Sequence, residues 1–285
     1  MRNKRRDGER IKQMDGFHLI APYVMPKRTE AEVSSTEQFD ITELNAYIKK
    51  RNEEEGTNLK LFHAICTSVA RTIYLRPKMN IFISGKTYYQ RNEITLSFVV
   101  KRKFSDEAEE MMMILNVEPE MNIDKISEII VGKVGEVRKK KTNNIDKLMK
   151  NVGKMPRLVM EIIFAVVRRL EYHGIMPKFL SDGDPSYTTV MLSNLGSIGA
   201  GAPYHHLSNY GTCSIMITIG TIHKEMKLMP DGTQQERDVV DCTFVLDERI
   251  ADGFYFAKSF RITKYLIEHP EAMEQPIRES VPVDL

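Results

Sequence analysis

The chain has 285 residues, enough for one large hydrophobic core or two small ones, and its 42% hydrophobic and 28% charged residues are those of an ordinary globular protein. Forty-one Lys and Arg stand against 39 Asp and Glu, and the net charge of +2 excludes a global electrostatic case for nucleic acid. The longest apolar run, Leu158 to Val167, is broken by Glu161 and falls well short of the roughly 20 residues of a membrane span. The basic N-terminus is not followed by an apolar stretch, so no secretion signal is expected. Cys66, Cys213 and Cys242 are odd in number and widely spaced; they read as small buried apolar residues in a reducing, cytoplasmic compartment.

Residues 1–20 read as a basic, solvated arm, and residues 21–285 as one domain. Asp40-Ile41-Thr42-Glu43 resembles a capping box opening a helix that stops at Gly56. A second helix, about Leu59 to Leu75, places Leu61, Ile65, Val69 and Ile73 at helical spacing and ends before Pro77. The period then changes to two. Asn80 to Ile83, a turn at Gly85-Lys86, and Thr87 to Gln90 form a hairpin, and Ile94, Leu96, Phe98 and Val100 alternate as a strand. An extended, mostly helical segment follows at about 105–184, beginning with DEAEEMMM at 106–113. Its expected helices are Asp124 to Lys140, Ile145 to Val152, and one from Pro156 to about Glu171. The apolar part of the last, Leu158 to Leu170, is expected to be a buried core helix; an acyl-channel lining or a membrane surface are its other readings.

Strands return after Pro185. Tyr187 to Ser193 leads into a glycine-rich turn at 194–201, and Ser214 to Ile222 and Arg237 to Asp247 are joined through Pro230-Asp231-Gly232. A helix from Gly253 to Glu268 closes the pattern before Pro270. Strands and helices mix along the whole length, which predicts a single α/β domain. The glycines of 196–201 precede a strand and lack the strand–loop–helix order of a nucleotide fingerprint.

Three local patterns occur in one order: Phe39-Asp40-Ile41-Thr42 with its two helices, Leu192-Ser193-Asn194-Leu195-Gly196-Ser197-Ile198-Gly199, and strand–hairpin–strand followed by Asp247-Glu248-Arg249-Ile250-Ala251-Asp252-Gly253. Together they resemble the coenzyme-A-dependent acyltransferases, the superfamily of chloramphenicol acetyltransferase and of the dihydrolipoamide acyltransferase cores of 2-oxoacid dehydrogenase complexes. The resemblance spans roughly Ala31 to His269 and is weakest between Ser105 and Asp184. It implies a two-layer sandwich, a mixed β-sheet covered by helices, assembled as a homotrimer. It also implies a channel between subunits in which a histidine base from one chain and an oxyanion-binding serine from the next act on acyl-CoA and a small acceptor.

Carried onto this sequence, the resemblance makes Ser193 the oxyanion donor and Asp252 a structural aspartate of the signature loop, with Gly253 permitting the close turn. A serine closing a turn and an aspartate capping a helix are the alternative readings. The family's signature His-x-x-x-Asp-Gly has Glu248 at its histidine. An ordinary glutamate, with pKa about 4.3 against about 6.5 for histidine, is a weaker base at neutral pH, and ionised it sets negative charge beside a developing oxyanion. Three readings follow: Glu248 is a retuned base, another histidine supplies the base, or the site is silent. His205 and His206 are the best substitute bases; His63 is expected to be packed on its helix, and His223 to open a hairpin.

No cofactor-binding residue is assignable. Arg138-Lys139-Lys140-Lys141 could meet coenzyme A phosphates, but a basic run at a helix C-terminus already complements the helix dipole. No metal is expected, because no ligand spacing is present. The sequence reading is therefore a 2-oxoacid dehydrogenase acyltransferase-like protein that transfers an acyl group from coenzyme A to a small acceptor as a homotrimer, without nucleic acid or membrane span. Its rival is a catalytically inactive trimeric binding or scaffold protein of the same fold.

Overall fold

The computed structural model describes residues 5–101, 110–139 and 155–284. In chain order the elements begin with β1 (Gly8–Arg10), α1 (Gly16–Val24), β2 (Glu32–Asp40), α2 (Thr42–Glu54), α3 (Leu61–Leu75), β3 (Ile81–Ser84), β4 (Thr87–Arg91), β5 (Ile94–Lys101) and β6 (Glu110–Val117). They continue with α4 (Ile123–Lys139), α5 (Arg157–Tyr172), the short α6 (Lys178–Ser181), β7 (Val190–Asn194), β8 (Ile215–Leu228), β9 (Gln234–Asp247) and α7 (Gly253–Glu268).

Six strands form one mixed sheet in the order β2-β9-β8-β7-β5-β6. Strand β7 runs parallel to β5 and to β8, and the other pairs are antiparallel. Side chains alternate between the two faces of a strand, so the register sorts residues into rows. Phe98, Leu192, Ile217 and Phe244 make one row across β5, β7, β8 and β9. All four are buried in the core with Ile65 and Val69 of α3, Ile126 of α4, and Ile262 and Leu266 of α7. Each such side chain contributes about 1.5–3 kcal/mol by leaving water. Helices thus cover one face of the sheet, the two-layer arrangement expected. One residue along, the row Thr36, Thr243, Thr218, Ser193 belongs to the other face.

The hairpin β3–β4 joins β1 in a small antiparallel sheet of order β1-β4-β3. Its turn residues Gly85 and Lys86 both have positive φ, 56° and 61°, which suits a two-residue hairpin turn. A Cβ on Gly85 would lie 2.0 Å from the Tyr172 carbonyl oxygen, so only glycine lets the end of α5 pack here.

Three expectations are corrected. Residues 5–10 are not a solvated arm: Gly8–Arg10 pairs with β4, and the Arg5 guanidinium bonds Asp7 (2.7 Å), Ser84 (2.8 Å) and Glu171 (2.7 Å) while lying over the Phe82 ring. A short basic segment finds enough buried acceptors to be ordered. The middle segment is not helical from its start, because Glu110–Val117 is strand β6. Met111, Leu115 and Val117 are buried and alternate along it, a period of two that the neighbouring acidic run disguised. Finally, α5 is not a core helix, since none of its residues is buried. The helix expected over Ile145 to Val152 lies outside the described residues, as do Lys140 and Lys141.

Candidate active site

Ser193, the last residue but one of β7, is half-buried, and its hydroxyl makes no hydrogen bond among the described residues. The turn beyond it is closed by its neighbours instead. The Asn194 side chain accepts the Ser197 N–H at 3.2 Å, and the Ser197 hydroxyl donates to the Asn194 carbonyl at 2.8 Å. Gly196 is required there, because a Cβ would stand 2.1 Å from the Gly220 carbonyl oxygen. That contact sets the end of β7 against an irregularity in β8 between Ile219 and Ile222.

Opposite Ser193, in register on β8, lies Thr218. It is 1% exposed, and its hydroxyl has no hydrogen-bond partner among the described residues. Two hydroxyls therefore sit side by side on the face away from the helices, one buried and unsatisfied. Such an unsatisfied group costs about 1–3 kcal/mol.

The segment between β7 and β8 crosses that face toward β2. The Ala200 carbonyl accepts from Thr221 N–H at 3.1 Å, Thr243 donates its hydroxyl to the Pro203 carbonyl at 2.9 Å, and the Tyr204 hydroxyl meets that of Thr36 at 2.7 Å. Leu207 N–H donates to the Glu32 carboxylate, and Arg28 donates to the Ser208 carbonyl at 2.9 Å. His205, half-buried, and His206, exposed, are carried between Tyr204 and Leu207. They lie along β2, three strands or roughly 14 Å from Ser193.

Glu248 follows β9 directly and is exposed, its N–H donating to the Ala31 carbonyl at 2.9 Å. From Ser193 it is two strands across and about five residues along, roughly 20 Å by strand geometry. One chain thus gathers Glu248 and the His205–His206 segment near the start of β2 and keeps Ser193 apart from both.

The signature loop is held by residues that the sequence reading passed over. Asp247 is 0% exposed and Arg249 2% exposed, and they pair twice, at 2.7 and 2.6 Å. A further Arg249 nitrogen donates to the Met25 carbonyl at 2.7 Å, tying the loop to the end of α1. The signal was an Asp-x-Arg spacing straddling Glu248. Asp252 is exposed, caps α7 by accepting the Tyr255 N–H at 2.7 Å, and has no ion pair among the described residues. Among the other histidines, His63 is packed in α3 with Nδ1 2.8 Å from the Ser127 hydroxyl. Burial, reinforced by Lys60, pushes its imidazole down to about 4. His223 is exposed on β8. Among the described residues, no group of three or more His, Cys, Asp or Glu is placed to hold a metal ion.

Residues 176–274, which include Ser193, the crossing loop and the signature loop, match the family model of the 2-oxoacid dehydrogenases acyltransferase catalytic domain. Among solved structures, a probable dihydrolipoamide acetyltransferase from Listeria monocytogenes is 18% identical, with TM-score 0.60 over 92% of this chain and 95% of that one. The dihydrolipoamide acetyltransferase of Azotobacter vinelandii is 14% identical, with TM-score 0.60 over 92% and 93%. A chloramphenicol acetyltransferase is 11% identical, with TM-score 0.51 over 91% and 99%. The family match over residues 176–274 and the shared fold together support the coenzyme-A-dependent acyltransferase superfamily. Its mixed sheet with helices is the chloramphenicol acetyltransferase-like fold, and residues 176–274 are similar to the 2-oxoacid dehydrogenase acyltransferase catalytic domain. No curated protein matches it in sequence. Among the described residues, no helix is long and apolar enough to cross a membrane.

Proposed function

We propose that this acyltransferase-like protein transfers an acyl group from coenzyme A to a small acceptor, at a site completed between two copies of the chain in a homotrimer. The observation that carries the reading is the pair Ser193 and Thr218, neighbouring hydroxyls with no hydrogen bond to spend elsewhere among the described residues. Two such donors suit the oxygen of a tetrahedral intermediate, where negative charge develops as the acceptor attacks the acyl carbonyl. The Azotobacter vinelandii enzyme has been examined for the roles of a serine, a histidine and an asparagine in its catalytic mechanism. Here Ser193 takes the serine's part and Glu248 of a second copy stands at the base position. Glu248 receives the acceptor's proton as the acceptor attacks, and coenzyme A leaves as the thiolate when the intermediate collapses. The separation of Ser193 and Glu248 within one chain is the reason two copies are needed. No residue is assigned to coenzyme A itself.

The second reading, a silent trimeric binding or scaffold protein, is favoured by the carboxylate itself, which is the weaker base. Release of coenzyme A from acetyl-CoA with a small thiol acceptor separates the two. Acyl transfer is expected to be slow in the wild type, to fall about 10²–10³-fold in Ser193→Ala, and to rise in Glu248→His. Turnover untouched by Ser193→Ala and Glu248→Gln would remove this site from the chemistry. Absence of turnover in the wild type that Glu248→His restores would establish the silent reading.

A further inference from the structure

Helix α5 has more apolar surface than the other described residues cover. Met160, Ile163, Val167 and Leu170 are half-buried against the protein, whereas Leu158, Ile162 and Val166 are 68%, 56% and 52% exposed. Helix α1 shows the same excess, with Phe17, Leu19, Ile20, Tyr23 and Val24 all exposed. The two helices converge on the β3–β4 turn. The Lys86 ammonium lies 4.2 Å from the Tyr23 ring centre, and the end of α5 packs on Gly85. Between them opens a cavity of about 430 Å³ lined by Pro22, Arg28, Lys86, Val167, Arg168 and Tyr172 among others. Arg28 is 6% exposed, and its Nε has no hydrogen-bond partner among the described residues.

Charge identifies the occupant. The cavity is lined by five bases, Lys27, Arg28, Lys86, Arg168 and Arg249, against the single acid Glu171. Of the acids on α5, Glu161 pairs with Arg157 and Glu171 with Arg5. Arg168 and Arg169 are exposed beside the uncovered stripe. Two copies meeting through this face would oppose like charges, whereas an anionic lipid surface neutralises them. We propose that α1 and α5 dock the protein peripherally on an anionic phospholipid bilayer, with the Arg28 cavity taking a headgroup phosphate. Amphipathic helices of this kind lie in the interface plane, apolar side toward the acyl chains and basic residues toward the headgroups.

The test is flotation of the full chain with vesicles of phosphatidylcholine alone and of phosphatidylcholine mixed with phosphatidylglycerol. Binding is expected to the mixed vesicles only, and to weaken at high salt. Ile162→Glu with Val166→Glu, and separately Arg168→Glu with Arg169→Glu, are expected to reduce it about tenfold or more with the circular dichroism spectrum unchanged. All four positions are exposed, so these substitutions spare the core. Equal flotation with both vesicle types, flotation with neither, or flotation indifferent to Ile162→Glu overturns the proposal. So does an oligomer that Ile162→Glu dissociates, seen by light scattering, when the wild type binds no vesicles; that result assigns the face to a second copy.

Discussion

Asp247 and Arg249 hold Glu248 between them, and their energetics differ from its own. The pair is buried, made through two short hydrogen bonds, and its arginine also reaches the Met25 carbonyl. Removing one partner of such a pair leaves an uncompensated charge in a poorly solvated place. Arg249→Met is therefore expected to lower stability by about 3–5 kcal/mol, read from urea unfolding, and Asp247→Asn with Arg249→Met to lose less than the sum of the single changes. Glu248 is exposed, so Glu248→His is expected to change stability by less than about 0.5 kcal/mol in the same experiment. A change in acyl transfer by that variant then reports chemistry and not folding. The identity of Glu248 was legible in the sequence. The ion pair beside it was not, because two opposite charges separated by one residue lie on a surface far more often than in a core.

At the scale of elements, strong periodicity was readable and context was not. Helix α3 followed from its apolar spacing, and α7 has the expected bounds, Gly253–Glu268. Strand β6 was missed because its alternation gains meaning only from pairing with β5, a tertiary partner. Helix α5 was found as a helix and misjudged as core, since an apolar face says that something covers it without saying what. The contact between α3 and α4 makes a further prediction. His63 is 3% exposed and its imidazole is held at about 4, well below the ordinary value, chiefly by burial. Above pH about 6.5 the ring is neutral both folded and unfolded, and costs nothing. As pH falls from about 6.5 toward 4, only the unfolded chain takes up the proton, so stability is lost, by at most about 1.4 kcal/mol per pH unit. Urea unfolding as a function of pH should show that slope in the wild type and a flatter one in His63→Gln.

For the whole molecule, the separation of Ser193 from Glu248 is decisive. They stand roughly 20 Å apart across two strands of one rigid sheet, a gap that side chains cannot close. A site shared between chains makes a prediction that a site within one chain does not. Ser193→Ala and Glu248→Gln subunits, each impaired alone, are expected to recover acyl transfer when mixed and reassembled, because one interface then receives an intact serine and an intact glutamate. No recovery, with mixed assembly confirmed by mass spectrometry, would place the chemistry within a single subunit.

The sequence by itself carried the acyltransferase resemblance and the order of α2, α3, β3 to β5, β7 to β9 and α7, though not β2 or β6, because local motifs and hydrophobic period are properties of neighbouring residues. Only the tertiary structure decided that Ser193 is flanked by a Thr218 hydroxyl without a partner among the described residues, that His205 and His206 lie along β2 away from Ser193, and that none of the residues of α5 is buried. Each of these depends on strand register or on the packing of segments far apart in the chain, where a shift of one residue turns a side chain to the opposite face.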